Sequence, residues 1–215
     1  MKRTIIAAAL AIAAISSAQA APIAGLANTG TGAGGTLDTH YTLSAVSSDT
    51  AVGAVPTITI DNQWPISPWL ANTAVSKWIT PTANQGQSFD ASTAGTFTYT
   101  LSFDLTGFNA ASAYFTGRMA ADNSVVVKLN DQTISSASGF SDWTSFASNG
   151  GFVAGMNTLD FVVTNWAQNG GNPSGLRVEF GSSDVAAAVP EPETYAMLLA
   201  GIALLGVVAR RRKAA

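Results

Sequence analysis

Thr96-Phe97-Thr98-Tyr99-Thr100-Leu101-Ser102-Phe103-Asp104-Leu105 is the stretch on which the fold class turns. Its large apolar residues fall on odd positions and its small polar residues on even ones. A helix would scatter that pattern round its cylinder, whereas a strand puts every apolar side chain on one face. The stretch therefore predicts an antiparallel strand, buried on one side and wetted on the other. Tyr41, Leu43 and Ala45 alternate with polar residues in the same way, as do Ile58 and Ile60. Residues 125–130, 159–164 and 176–180 repeat the behaviour with β-branched and aromatic content. Asn130-Asp131, Gly150-Gly151 and Asn169-Gly170-Gly171-Asn172-Pro173 supply turns between them. No internal segment sustains a helical period. Roughly eight or more short strands divided by turns predict an all-β domain, an antiparallel β-sandwich of jelly-roll topology.

The chain has 215 residues and a formal net charge of −3, but its two ends distort the charge count. Lys2 and Arg3 open it and Arg210, Arg211, Arg212 and Lys213 close it, leaving Lys77, Arg118, Lys128 and Arg177 between residues 21 and 189. Eleven acids share that segment, so it carries a net −7. It offers no basic stripe to a phosphate backbone, which excludes nucleic acid as a partner. Cysteine is absent. That is compatible with export, and it removes thiol catalysis and cysteine metal sites.

Met1-Lys2-Arg3 is a positive start, residues 5–15 are apolar and Ala-rich, and Ala18-Gln19-Ala20 is the small-x-small pattern of signal peptidase. Residues 1–20 are thus expected to be a signal peptide cleaved after Ala20, because the apolar stretch is too short to span about 30 Å of hydrocarbon. Residues 21–62 are a Gly-, Thr- and Ser-rich N-terminal segment with early strands, in which 25–35 reads as a flexible start or long loop. Residues 63–184 are the β-sandwich domain, and 185–194 a linker holding Pro190-Glu191-Pro192. Residues 195–209 are apolar with no polar face, expected as a transmembrane helix and membrane anchor, and 210–215 as a basic cytoplasmic tail. Such a helix measures only about 22 Å, so Tyr195 at one interface and the stop residues Arg210, Arg211 and Arg212 at the other would complete the span. With roughly 165 residues left between the ends, one domain can bury a sizeable core.

Pro190-Glu191-Pro192, an apolar helix and a terminal arginine cluster, in that order, resemble the PEP-CTERM sorting signal of Gram-negative bacteria. The resemblance implies recognition by an exosortase, a membrane-embedded cysteine transpeptidase that cleaves near the motif. Its substrates pass to the envelope or the exopolysaccharide matrix. A weaker resemblance spans residues 64–181. Phe103-Asp104-Leu105, Gly117-Arg118-Met119-Ala120-Ala121-Asp122-Asn123 and Val127-Lys128-Leu129-Asn130 resemble a galactose-binding-like or carbohydrate-binding jelly roll. Gly155-Met156-Asn157-Thr158-Leu159-Asp160-Phe161-Val162-Val163 and the strand ending Leu176-Arg177-Val178 extend it. These are fold motifs, so they imply architecture more than ligand.

Signals for catalysis are sparse. His40, the single histidine, adjoins the Gly-rich stretch, and no G-x-S-x-G elbow accompanies it. One histidine and no cysteine cannot make a zinc pattern. Glycoside hydrolysis needs two carboxylates, but Glu179, the one glutamate of the domain, is expected to face solvent, opposite Leu176, Val178 and Phe180. The aspartates scatter through turns, where local hydrogen bonding favours them. The protein therefore reads as no enzyme and as needing no cofactor. Asp122-Asn123, Asn130-Asp131 and Asp160 offer oxygen ligands of the kind a structural Ca²⁺ takes, although turn chemistry explains both pairs without a metal.

Aromatic residues carry the one ligand hypothesis. Sugars stack on aromatic rings while amides, carboxylates and arginines bond their hydroxyls. Trp64 and Trp69 flank a loop containing Pro65 and Pro68, and Trp166 adjoins an amide-rich turn. Those three are either ligand-facing or core, while Trp78 and Trp143 read as core. The leading function is a non-catalytic envelope or matrix protein, sorted by its tail and binding glycan, with exopolysaccharide as its partner beside the exosortase. A structural or adhesive surface protein and a glycan-active hydrolase are the alternatives.

Overall fold

The computed structural model describes residues 20–188 and 192–214. The expected signal peptide, up to its last residue, lies outside the described residues, as do Pro190 and Glu191. Residues 20–186 form one compact unit, and the C-terminal segment belongs to another.

The first unit is almost entirely strand and turn. Its strands are β1 (Ala20–Ala21), β2 (Tyr41–Val46), β3 (Thr57–Ile58), β4 (Ile79–Thr80), β5 (Gly95–Asp104), β6 (Tyr114–Leu129), β7 (Gln132–Ser148), β8 (Met156–Asn165) and β9 (Gly175–Ala186). One 3-10 turn, Ala110–Ser112, interrupts them. All pair antiparallel in one nine-stranded sheet, ordered β2-β5-β8-β6-β9-β4-β3, with β7 on β6 and β1 on β9. The sheet curls because β6 serves two neighbours in succession. Its first half, from Tyr114 to Asp122, pairs β9, and its second half, from Ser124 to Leu129, pairs β8. The register slips between Ala121 and Ser124, where the strand turns the corner. Hydrogen bonding is thus continuous through β6 where the sequence predicts two separate sheets.

Register explains the core. Leu43 lies opposite Tyr99, Tyr99 opposite Phe161, and Phe161 opposite Val127, so one apolar row crosses four strands. A parallel row runs Ala45, Phe97, Val163 and Val125. Phe146 of β7 closes the interior edge-on against Phe161, Phe115 and Phe180. The Gly-rich stretch 25–35 is a loop as expected, yet it is bound in place. The Thr29 N–H donates to the Val178 carbonyl at 3.1 Å and Lys77 N–H to the Thr29 carbonyl at 3.0 Å. Gly30 has φ +65, and a Cβ there would lie 2.6 Å from the Lys77 side chain. Only glycine fits so close a backbone approach.

In the second unit, α1 (Pro192–Ala214) forms over the apolar run. Proline suits its first position, lacking an N–H that the helix would leave unbonded, and the arginines suit its C-terminal end. The transmembrane helix expected at 195–209 needs correction. Among the described residues no helix is long and apolar enough to cross a membrane. The arginines at 210–212 end the apolar run after fifteen residues, about 22 Å of helix against about 30 Å of hydrocarbon.

Candidate functional site

The break in β6 at Asp122-Asn123 gathers two loops at the sheet corner. Residues 61–78 cross the outer face of β6 and β9, where Ala120 and Gly175 leave room for large rings. A Cβ on Gly175 would come within 2.6 Å of Trp69 Cη2. Trp69 lies down there, only 3% exposed, with its ring centroid 4.3 Å from that of Trp78. Trp78 Nε1 donates to the Leu70 carbonyl at 2.8 Å, and Trp69 Nε1 donates to Asp122 Oδ2 at 2.8 Å. Burial pushes the Asp122 carboxyl up to about 6, although the Trp69 hydrogen bond pulls it the other way.

The second loop, 166–174, is fixed to the same break. Asn123 Oδ1 accepts from the Trp166 N–H at 2.7 Å, Asn172 Nδ2 donates to the Trp166 carbonyl at 2.9 Å, and Ser174 Oγ donates to the Asp122 carbonyl at 3.0 Å. Between the loops is a cleft of about 130 Å³, lined by Trp64, Trp69, Asp122, Asn123, Gln168 and Asn172 among others. Trp64 is 53% exposed, its ring edge resting on Gly86, and Gln85 Nε2 holds its carbonyl at 3.0 Å. Trp166 is also 53% exposed, on the adjoining loop. Of the three tryptophans proposed for a ligand, Trp64 and Trp69 thus share a cleft. Trp69 is core with one polar edge, and Trp166 contributes its backbone.

Sequence reasoning missed a second cluster along the same face. Glu179 does point away from Leu176 and Val178, but it does not reach solvent, because residues 70–76 cover it. It is 6% exposed. Ser76 Oγ donates to its Oε1 at 2.7 Å and Arg118 Nε to its Oε2 at 2.8 Å. Burial alone would raise its pKa, yet the bonds from Ser76 and Arg118 and the charge of Arg177 outweigh burial and lower it. Arg177, 1% exposed, gives its donors to Ser76, Thr73, Glu179 and the carbonyls of Leu70 and Ala71. Burial lowers its pKa, partly offset by Glu179. Both guanidiniums lie over the Trp143 ring, Arg118 at 4.5 Å and Arg177 at 4.8 Å. Trp143 is therefore half-buried, packed against the apolar cluster of Ile66, Trp69, Trp78 and Ala120 and covered by the two guanidiniums. The available signal was Arg177-x-Glu179 on the polar face of a strand, in a domain with four cations.

Of the residues considered for Ca²⁺, Asp122, Asn123, Asn130 and Asp160 have protein partners. Asp122 accepts from Trp69, Asp160 from Thr100 Oγ1, and Asn130 bonds Gly151, Asn157 and Thr158. No group of three or more His, Asp or Glu able to hold a metal occurs among the described residues. His40 is exposed, with Nδ1 3.1 Å from Asp38 Oδ1.

At the C-terminus, Pro192 opens α1 and the exposed Arg210 and Arg211 lie near its end, in the order the sequence resemblance requires. Residues 188–213 match the family model of the PEP-CTERM protein-sorting motif. The tail is a PEP-CTERM motif. That match stops short of residues 20–187, so the PEP-CTERM assignment leaves the corner cleft without a function. No curated protein matches the chain. Solved structures similar to it include a family 29 carbohydrate-binding module mutant, at 11% identity and TM-score 0.38, covering 79% of this chain and 92% of that one. Another mutant of such a module, complexed with mannohexaose, has 11% identity and TM-score 0.37, covering 80% and 93%. Likeness at this level transfers no ligand to this chain.

Proposed function

We propose that this is an exported, non-catalytic protein of the cell envelope or exopolysaccharide matrix, whose β domain binds glycan at the corner cleft. The sorting motif at 188–213 carries the first part. Export begins with the signal at 1–20, and an exosortase-type enzyme processes the tail. The glycan reading is supported by one half-exposed ring, Trp64, beside a carboxylate, Asp122, and the amides of Asn123 and Gln168. That is the pairing of an apolar face with hydroxyl-bonding groups that a sugar presents. At about 130 Å³ the cleft is smaller than the usual pocket of about 300 Å³ or more. It suits the edge of one ring stacked on Trp64, as at the end or a branch of a chain.

A non-catalytic role is supported by the carboxylates themselves. Asp122 is the one carboxylate lining the cleft, and both Glu179 oxygens are taken by protein donors. Two facing carboxylates are what glycoside hydrolysis requires. A polysaccharide panel screened with full-length wild-type protein and the Trp64→Ala variant tests the binding. Wild-type binding lost in the variant is expected. Equal binding by both removes the cleft, and no binding by either leaves the display role. Sorting is tested separately by intact mass and fractionation of Glu191→Ala in a host with an exosortase. An unprocessed form is expected, and normal processing and location would overturn this part.

A further inference from the structure

Resting on the glycan reading above, we infer that Arg118 is a carboxylate-binding subsite that makes the protein prefer an acidic saccharide. Arg118, Ala120 and Asp122 alternate along β6, and a strand puts such positions on one face. Arg118 is thus four residues from the cleft carboxylate, about 13 Å along the strand. It borders an open groove of about 690 Å³, with Glu179, Thr116, Ser145, Phe146 and Phe180.

The two arginines here have different tasks. Arg177 is buried, and its guanidinium is spent on the loop that crosses the sheet. Among the described residues Arg118 bonds no loop carbonyl. Its Nε and Nη2 both engage Glu179 Oε2, while its side chain is 50% exposed. No protein hydrogen bond from its Nη1 occurs among the described residues. The Nε–Nη2 edge of the fork is occupied, and the Nη1–Nη2 edge is left to meet a carboxylate with two parallel bonds. The Trp143 ring centroid lies 4.5 Å from the guanidinium carbon and Glu179 pulls the guanidinium from the side, so its orientation is fixed before a ligand arrives.

Charge selects the ligand further. Two guanidiniums against one carboxylate leave the cluster positive, inside a segment of net −7. A densely charged polyanion meets repulsion from the rest of that surface. An isolated acid on an otherwise neutral chain does not, since salt screens charges beyond about 8 Å. The ligand class is therefore a saccharide with sparse uronic-acid or similar carboxylate groups.

The probe is a trisaccharide with one glucuronic acid residue, compared with its carboxyl-reduced neutral counterpart and with trigalacturonate. Each is titrated calorimetrically into full-length protein. Wild type is expected to bind the singly acidic form about tenfold tighter than the neutral one, the margin of a charge-assisted fork over neutral bonds. Arg118→Gln should abolish that difference and keep neutral binding, whereas Trp64→Ala should weaken both forms. Should Arg118→Gln unfold by stranding Glu179, the pair Arg118→Gln with Glu179→Gln replaces it. In wild type, the Trp143 indole N–H resonance should shift with the acidic form alone. Equal binding of the acidic and neutral forms, or a preference that survives in the glutamine variant, overturns the subsite and leaves the glycan reading intact. Tightest binding of trigalacturonate overturns the sparse-charge argument. Absence of any binding by wild type overturns both readings.

Discussion

Trp64 and Trp69 stand five positions apart in one loop, yet their surroundings give them opposite roles. Trp69→Ala removes a buried ring from Trp78 and Gly175 and should cost about 3–5 kcal/mol of stability through the cavity left behind. Trp64→Ala removes a ring that is 53% exposed and should change stability by less than about 1 kcal/mol. Urea melts of each variant check the contrast. The acids differ just as much. Asp122 has a folded value of about 6, above its unfolded one near the ordinary 3.8, so the folded state binds the proton first. Its contribution to stability therefore grows as pH falls from about 6 to about 4. Glu179, held below its ordinary value, does the reverse and loses stability as pH falls through its folded pKa. Asp49 and Asp104, lowered by hydrogen bonds from Ala91 and Thr106, lose in the same direction. Stability is thus expected to rise and then fall on acidification. In Asp122→Asn the rise should be missing, as melting at a series of pH values will tell.

The β6–β7 hairpin is the element that makes the fold, since it runs through both halves of the sheet. Its turn puts Asn130 at φ 48 and Asp131 at φ 66, the left-handed pair of a two-residue hairpin loop. Asn130 belongs there, because its side chain also bonds Gly151, Asn157 and Thr158. The Asp131 side chain makes no hydrogen bond among the described residues, and Asp131→Gly should stabilise the protein by about 0.5–1 kcal/mol through relief of the left-handed strain. Asn130→Ala should cost about 1–3 kcal/mol by stranding those partners. Equilibrium unfolding of both reports on the hairpin. A loss in Asp131→Gly would mean that the aspartate carboxylate holds the turn.

Over the whole molecule, the N-terminal loop and the last strand close the fold on each other. Thr29 is fully buried; its Oγ1 donates to the Lys77 carbonyl at 2.8 Å and accepts from the Val178 N–H at 3.0 Å. One hydroxyl thus ties residue 29 to the 61–78 loop and to β9. Thr29→Val keeps the shape and removes the bonds, so a loss of about 1–3 kcal/mol is expected from the stranded backbone groups. Because the contact joins distant segments, the variant should lose its transition as one cooperative unit. Two separate transitions in calorimetry would show instead that residues 21–62 fold apart from the rest.

What the chain fixes by itself is whatever depends on local geometry. Phe97, Tyr99, Leu101 and Phe103 declare β5 because a strand's side chains alternate whatever surrounds it. The Asn130-Asp131 turn and the tail at 188–213 are legible for the same reason, each being written in consecutive residues. β7 was not legible, since residues 132–148 are mostly small and polar, and its pairing to β6 alone demands no apolar alternation. Glu179's face was readable from parity, but not its burial, nor the burial of Trp69 against the exposure of Trp64. Those depend on the course of residues 61–78 over the sheet, and on Gly175, Ala120 and Asp122 lying beneath it. No residue carries that information in its own neighbourhood, because the cover of a face comes from a segment some hundred positions away.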